Sequence, residues 1–593
     1  MTITPAPQPR DLDAEQLRDI ERFELAIDQY LKGEIGEDVF RVMRLNNGIY
    51  GQRQGGTNQM VRIKLPAGTI TPEQLDLMGR LSTEFSRGWG HITTRQNIQF
   101  HFVELTRIPA LLRELAAVGL TSREACGDTV RNVMACHLAG ACPYEKIDVT
   151  PWAEAVFRHF VRNPLGQRLP RKFKVNFSGC STDCGQAMFN DVGVVAVSRT
   201  NDDGSIEQGF RVYIAGGLGA TPHPALALED FTTREELLPT IEAVLRVFEQ
   251  TGNRDNKLRA RLKWVVDQLG IDEVRRRVIK IRHTLPASST WPGGIPPEVV
   301  AAGDAPAGKA GEATAVGQGV AVTLRSSDPY TRWEQTSVIR GAGNGSVSAV
   351  AYAAIGDITA SQFTSLAAIQ RELGADVRLS NRQNVVFRGL REDQLATLYA
   401  RLEAIGMARP GAELARDVVA CPGADTCNIA VTQSRGLAKA IGEQLEEEGL
   451  AEVGGVRINI SGCTNSCGQH HASDIGFFGA ERRANGKAIP GYQMLLGGFV
   501  GDEQIHFGQK ALRLPAKNAP VAAARVIRRY AEERKAGEPF QEWLARSGGA
   551  AKVAEGLKDL DQIPTPDEAP DFYVDFDETS PFAVNVAESE CAT

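Results

Sequence analysis

SGCSTDCGQ at 178–186 and SGCTNSCGQ at 461–469 are nearly the same nine residues, written twice in one chain of 593. Each closes a four-cysteine set. Cys136, Cys142, Cys180 and Cys184 make one, Cys421, Cys427, Cys463 and Cys467 the other, and both read C-x5-C followed by C-x3-C. The sets are offset by 285 residues at the first pair and 283 at the second, with Cys126 and Cys591 left over.

Neighbouring segments keep the same order. TITPEQL (69–75) aligns with DITASQF (357–363), TTRQNIQF (93–100) with SNRQNVVF (380–387), and GFRVYIAGG (209–217) with GYQMLLGGF (491–499). Their offsets drift between 288 and 282, which is how two copies of one fold diverge. PEQLDLMGRLSTEF and TREELLPTIEAVLRVFEQTG carry apolar residues at helical spacing, the second opening on a Thr N-cap. TRQNIQFHF alternates as a strand, with Arg95, Asn97, Gln99 and His101 on one face.

The expected fold is therefore α+β, built from two pseudo-symmetric α/β copies around a shared site. Its parts are an N-terminal extension (1–39), a first repeat (40–284), a Pro/Gly/Ala-rich linker (285–319), a second repeat (320–547) and an acidic tail (548–593).

Composition narrows the function. A net charge of −7 and a pI near 5.9 argue against a nucleic-acid partner. No run reaches the roughly 20 apolar residues of a membrane helix, and the N-terminus has no export pattern, so the expectation is a cytoplasmic protein without a membrane partner. In a reducing compartment, paired cysteines are more often metal ligands than disulfides. Thiolates suit zinc or an iron–sulfur cluster, and C-x5-C is long for zinc. Packed thiols are the remaining reading. AGGLGA (215–220) is a lone Gly-rich turn without a dinucleotide fingerprint, so electrons for any redox chemistry come from a partner.

ACPGADTC (420–427) and NISGCTNSCGQ (459–469), with MVRIKLPAG (60–68), TTRQNIQFH (93–101), TVRNVMAC (129–136) and LPRKFK (169–174), resemble the sirohaem-containing nitrite and sulfite reductase family. The resemblance spans roughly residues 40–545. It implies a 4Fe–4S cluster on Cys421, Cys427, Cys463 and Cys467, with Cys467 bridging to sirohaem. It places Arg95, Gln96, Asn97, Gln99 and His101 against the sirohaem periphery, and Arg62, Arg131, Lys172 and Lys174 around the anionic substrate. It also implies assimilatory six-electron reduction of sulfite, with Lys174 in the basic segment favouring sulfite over nitrite. The donor is ferredoxin or an NADPH-dependent flavoprotein, with RDNKLRARLK (254–263) or RRRVIKIR (275–282) offered to an acidic partner.

The family's first copy generally lacks cluster ligands, yet this chain keeps Cys136, Cys142, Cys180 and Cys184. That set is read either as a second 4Fe–4S cluster or as packed thiols. Applying the repeat offsets, Arg131 maps to Arg416 and Lys174 to Arg457, but Arg62 maps to Val350 and Lys172 to Gly455. One catalytic site is the expectation. A nitrite reductase on the same cofactors is one alternative, and a non-catalytic cysteine-rich metal-binding or sensing protein is another.

Overall fold

The computed structural model describes residues 14–301, 327–341 and 346–587. Four five-stranded sheets carry the fold. In the first, the order is Ile49–Gly51, Asn58–Ile63, Ile98–Glu104, Trp89–Ile92 and then Asp357–Thr359, a strand of the second copy. In its counterpart, the order is Val338–Arg340, Ser346–Ala351, Val385–Arg391, Asp376–Leu379 and then Thr69–Ile70, a strand of the first copy. Asp357 pairs with His91 and Ile70 with Val377, so each sheet is completed by the other copy. One hydrophobic core runs under both, from Phe100 and Leu81 to Phe363 and Phe387.

The exchanged strands lead into equivalent helices, Pro72–Phe85 and Ala360–Leu373. Each opens with the same capping box, Thr71 with Gln74 and Thr359 with Gln362, which satisfies two otherwise unpaired backbone donors reciprocally. The helix expected after Thr233 runs Arg234–Thr251, and there the Thr233 hydroxyl donates to Glu236 at 2.9 Å instead of accepting from the backbone.

The other two sheets are also a pair. Met134–Ala135, Val175–Ser178 and Val192–Thr200 run parallel and continue antiparallel into Ile206–Ile214 and Leu226–Thr232. Val419–Ala420, Ile458–Ser461, Ile475–Ala484, Lys487–Leu496 and Gln509–Pro515 repeat the pattern. Each has its own apolar core. The cysteine pairs sit at the carboxyl ends of the parallel strands, where strands turn into loops.

The segments outside the repeats are packed where described. Helix Ala14–Leu31 buries Phe23 and Ile27 in the shared core. Of the segment read as linker, residues 285–301 lie on the first repeat with Trp291, Ile295 and Val300 buried, and residues 302–319 fall outside the described residues. The tail returns to the second repeat: Asp575 Oδ2 accepts from Gln433 N at 2.9 Å, and Ala587 N donates to Asn428 O at 3.0 Å. Cys591 lies outside the described residues.

Candidate active site

The strand expected to begin at Thr94 begins at Ile98. Residues 93–97 form a tight turn, closed by Thr93 N donating to Asn97 O at 2.9 Å, with Gln96 in the left-handed region at φ 57°. A polar loop end buried between sheets finds its hydrogen bonds locally, and the turn supplies them where alternation alone suggested a strand. Arg95 then reaches across to the other first-copy sheet: NH1 donates to Asn176 at 3.1 Å and Asn190 at 3.2 Å, and NH2 to Asn132 O at 2.8 Å. Gln96 faces the other way and donates to Ala135 O at 2.9 Å, next to Cys136.

Beyond the turn, Gln99 stands in register with Arg62 on one neighbouring strand and His91 on the other. His101 follows on the same face, stacked on Trp89 at 5.5 Å and buried, which holds its imidazole well below the usual pKa and so neutral. His91 Nδ1 lies 3.0 Å from Asp357 of the second copy.

The four cations expected around the substrate meet beside this turn. Arg62 NH1 and Arg131 NH1 share the Ala125 carbonyl at 3.2 and 2.9 Å, and Arg131 is further fixed by Gly127 O at 2.7 Å. Lys172 and Lys174 lead into strand Val175–Ser178. Burial, followed by the charges of Arg95, Arg261 and Lys172, holds the Lys174 amine well below the ordinary lysine pKa. Burial and the neighbouring Arg131 likewise bring Arg95 down to about 9. These cations are placed close enough to repel one another, which costs stability unless an anion joins them.

Two more members were read from sequence as surface charge. Arg261 and Lys263 belong to the basic run 254–263, yet both are buried. Arg261 makes a fork to Asp191, at 3.0 and 2.8 Å, and burial lowers Lys263 to about 8. The alternation of the helix opening at Leu262 was the available signal, since it turns Lys263 inward with Val266. The second basic run is largely neutralised by nearby carboxylates: Arg276 and Arg277 pair with Glu273, and Arg282 with Glu229.

The second cysteine set lies directly against this turn. Thr94 Oγ1, one residue before Arg95, donates to the Cys467 carbonyl at 2.8 Å. Gly462 N donates to Cys421 Sγ at 3.3 Å, and Arg53 NH1 ties the loop after Cys427 through Ala430 O at 2.9 Å. Gly468 has no alternative: a Cβ there would stand 1.9 Å from Ile460 O. Cys467 is the exposed member of the set. Burial raises the thiols of Cys421, Cys427 and Cys463, Cys427 to about 12, so whatever binds them as thiolates must supply positive charge, as iron does. Among the described residues no three His, Cys, Asp or Glu side chains close on a single metal-ion position. Four cysteines on two loops that meet at the Gly462–Cys421 contact suit the separated corners of a cubane.

Polar atoms without partners gather between the turn and the cysteines. Arg95 Nε, Gln96 Oε1, Asn97 Oδ1, Asn132 Oδ1, Gln186 Oε1 and Asn459 Oδ1 are buried with no hydrogen bond to the described residues. Each costs about 1–3 kcal/mol if left so. The amide oxygens among them call for donors, whereas Arg95 Nε and the excess of cations fit a large group rich in carboxylates, as sirohaem is.

Family models match both copies. The nitrite and sulphite reductase 4Fe-4S domain matches residues 126–284 and again 411–559, and the nitrite/sulfite reductase ferredoxin-like half domain matches 50–118 and 343–405. An assimilatory ferredoxin-dependent nitrite reductase of Haloferax mediterranei is 29% identical over 528 residues, covering 86% of this chain and 85% of that protein. A sulfite reductase (ferredoxin) of Mycobacterium tuberculosis is 28% identical over 497 residues, 82% of each. The solved structure of the Mycobacterium tuberculosis NirA protein superposes with a TM-score of 0.73 at 27% identity, covering 91% of this chain and 97% of that one.

Proposed function

The chain belongs to the nitrite and sulphite reductase family, and from that premise we propose that it catalyses the assimilatory six-electron reduction of sulfite to sulfide. The observation that carries the reading is the Thr94–Cys467 contact, which joins a cysteine set of the second copy to a cationic turn of the first. In this reading Cys421, Cys427, Cys463 and Cys467 hold a 4Fe–4S cluster, and Arg95 with the cations beside it receives the sirohaem carboxylates. When bound, these groups supply single electrons and an iron atom open to substrate.

The chain's own residues do the rest. Arg62 and Arg131, fixed by backbone carbonyls, provide standing positive charge for a dianion. Lys172 and Lys174 hold the oxygens that leave as water. With its pKa depressed, Lys174 gives up a proton more readily than a surface lysine, and Lys172 beside it keeps the site cationic while it does so. His101, neutral and buried, packs without adding charge.

Lys174 favours sulfite over nitrite because a compact, proton-donating cation suits the more highly charged and more oxygenated anion. The related proteins are named as ferredoxin-dependent enzymes, which supports a small acidic iron–sulfur protein as donor over a flavoprotein. The test is viologen-driven turnover of both anions by the sirohaem-loaded enzyme. Sulfite is expected to turn over faster, and Lys174→Asn to shift the ratio of the two rates toward nitrite by about tenfold, one lost charge-assisted hydrogen bond. An unchanged ratio, or faster nitrite turnover by the parent enzyme, overturns the assignment to sulfite. Protein that stays colourless from a host able to make sirohaem overturns the enzyme reading itself.

A further inference from the structure

Cys136, Cys142, Cys180 and Cys184 remain unused by this mechanism. They occupy the same scaffold as the second set. Cys136 N donates to Phe177 O at 2.9 Å as Cys421 N does to Ile460 O at 3.2 Å. Asn176 donates to Gly185 O, and Asn459 to Gly468 O, both at 2.7 Å. The cross-copy contact also repeats: Asn381, the counterpart of Thr94, donates to the Cys184 carbonyl at 2.7 Å.

The thiols converge from two loops, Cys142 against Cys180 and Cys136 against Cys184, and none of the four is engaged in a disulfide. The C-x3-C loop holds two non-glycine residues in the left-handed region, Asp183 at φ 52° and Gln186 at φ 57°, matched by Ser466 and Gln469 in the second copy. Such conformations cost about 1 kcal/mol or more each and persist where the surroundings require them. Thiols that served only as packing would need neither the spacing nor the strain. On the far side, His137, next to Cys136, lies near Glu413, and there Arg382 and Arg457 are met by Glu413, Asp417 and Asp474, which leaves no excess positive charge for an anionic haem.

We propose that the first cysteine set binds a second 4Fe–4S cluster with no haem attached, one that exchanges single electrons with the catalytic cluster. The connection is short in bonds. Cys184 and Cys467 each precede by two residues a glutamine, Gln186 and Gln469, and Gln186 Nε2 donates to Gln469 Oε1 at 2.7 Å. The proposal rests on the family reading for the second set, so the test separates the two.

The full chain, purified anaerobically, is assayed for iron, acid-labile sulfide and zinc, with visible and electron paramagnetic resonance spectra of the oxidised and dithionite-reduced protein. Sirohaem bands and turnover report on the catalytic reading alone. About nine irons per chain are expected, against about five for one haem and one cubane. Cys136→Ser with Cys142→Ser should remove about four irons and four sulfides while the sirohaem bands stay. Cys142→Ala alone serves if the double variant does not fold, and the parent count needs no variant. About five irons in the parent, zinc in place of the extra iron, or a count that the variants leave unchanged overturns the second cluster.

Discussion

The turn at Arg95 and the turn at Arg382 are the same structure with opposite electrostatics. Around the first, Arg62, Arg95, Arg131, Lys172 and Lys174 gather near Asp191, a carboxylate already committed to Arg261. Around the second, Arg382 and Arg457 meet Glu413, Asp417 and Asp474, and Arg416 is drawn off to Glu446 at 2.7 Å. The amides differ as well. Asn384 is satisfied by Ala353 N at 3.0 Å and Asp417 at 2.9 Å, whereas Oδ1 of its counterpart Asn97 has no partner among the described residues. Duplication supplied two sockets. One is balanced by its own carboxylates, and the other keeps an excess of cations, which the proposed function assigns to an anion from outside.

The contrast breaks most sharply at the cysteines. Cys467→Ser is expected to abolish sulfite turnover and perturb the sirohaem spectrum, because the proposed function puts that residue, tied to Thr94, beside the cationic turn. Cys184→Ser should leave the sirohaem bands in place while lowering non-haem iron. Equal spectral damage from both would mean that the copies share the haem, and the comparison would fail.

The cations come next. Lys174→Ala should lower kcat/KM for sulfite by about 10²–10³, the scale for removing one donor to developing charge. Its counterpart change, Arg457→Ala, should alter kcat/KM by less than about threefold, since the proposed function places the substrate at the other turn. Steady-state assays of both variants decide it. A large loss in Arg457→Ala would give the second socket a catalytic role.

Glu413 tests the closed socket through stability. Burial pushes its carboxyl pKa up, but Arg382, Arg457 and His137 together outweigh burial and hold it below 4.5. A carboxyl depressed in the fold adds stability above its unfolded value and loses that stability as pH falls through the folded one. Glu413→Gln should therefore destabilise by about 2–3 kcal/mol at neutral pH, with the difference shrinking below about pH 4.5, in urea melts of parent and variant at several pH values. Asp417 beside it works the other way. Burial raises it to about 6, so its contribution declines as pH rises through that value and does not mimic the effect.

Much of this was legible in the sequence, for physical reasons. Cysteine spacing and the offset between copies survive because ligands and their loops cannot move independently, and the four cations predicted from motif positions do converge. What spacing could not give was partnership across the axis. The exchange of strands Thr69–Ile70 and Asp357–Thr359 leaves no trace in periodicity, since two or three residues pair equally well with either sheet. Arg261 and Lys263 looked like surface charge because a basic run reads the same whether it faces water or a buried carboxylate. The turn at Gln96 was hidden by alternation that a strand and a left-handed turn both satisfy.

The smallest effect probes the axis itself. Gln186 and Gln469 are counterparts that hydrogen-bond to each other, so the bond ties the copies at their common centre. Gln186→Ala should cost about 1–2 kcal/mol, because it leaves the buried Gln469 oxygen without a donor. Gln186 also sits at φ 57°, a conformation that alanine tolerates no better. Gln186→Gly loses the same bond but relieves the backbone by about 1 kcal/mol, so it should melt close to the parent. The Ala and Gly variants thus separate the bond from the strain. A double-mutant cycle with Gln469→Ala then isolates the pair: a coupling of about 1 kcal/mol identifies the two glutamines as one joint, and additive losses mean that each copy holds its own loop without the other.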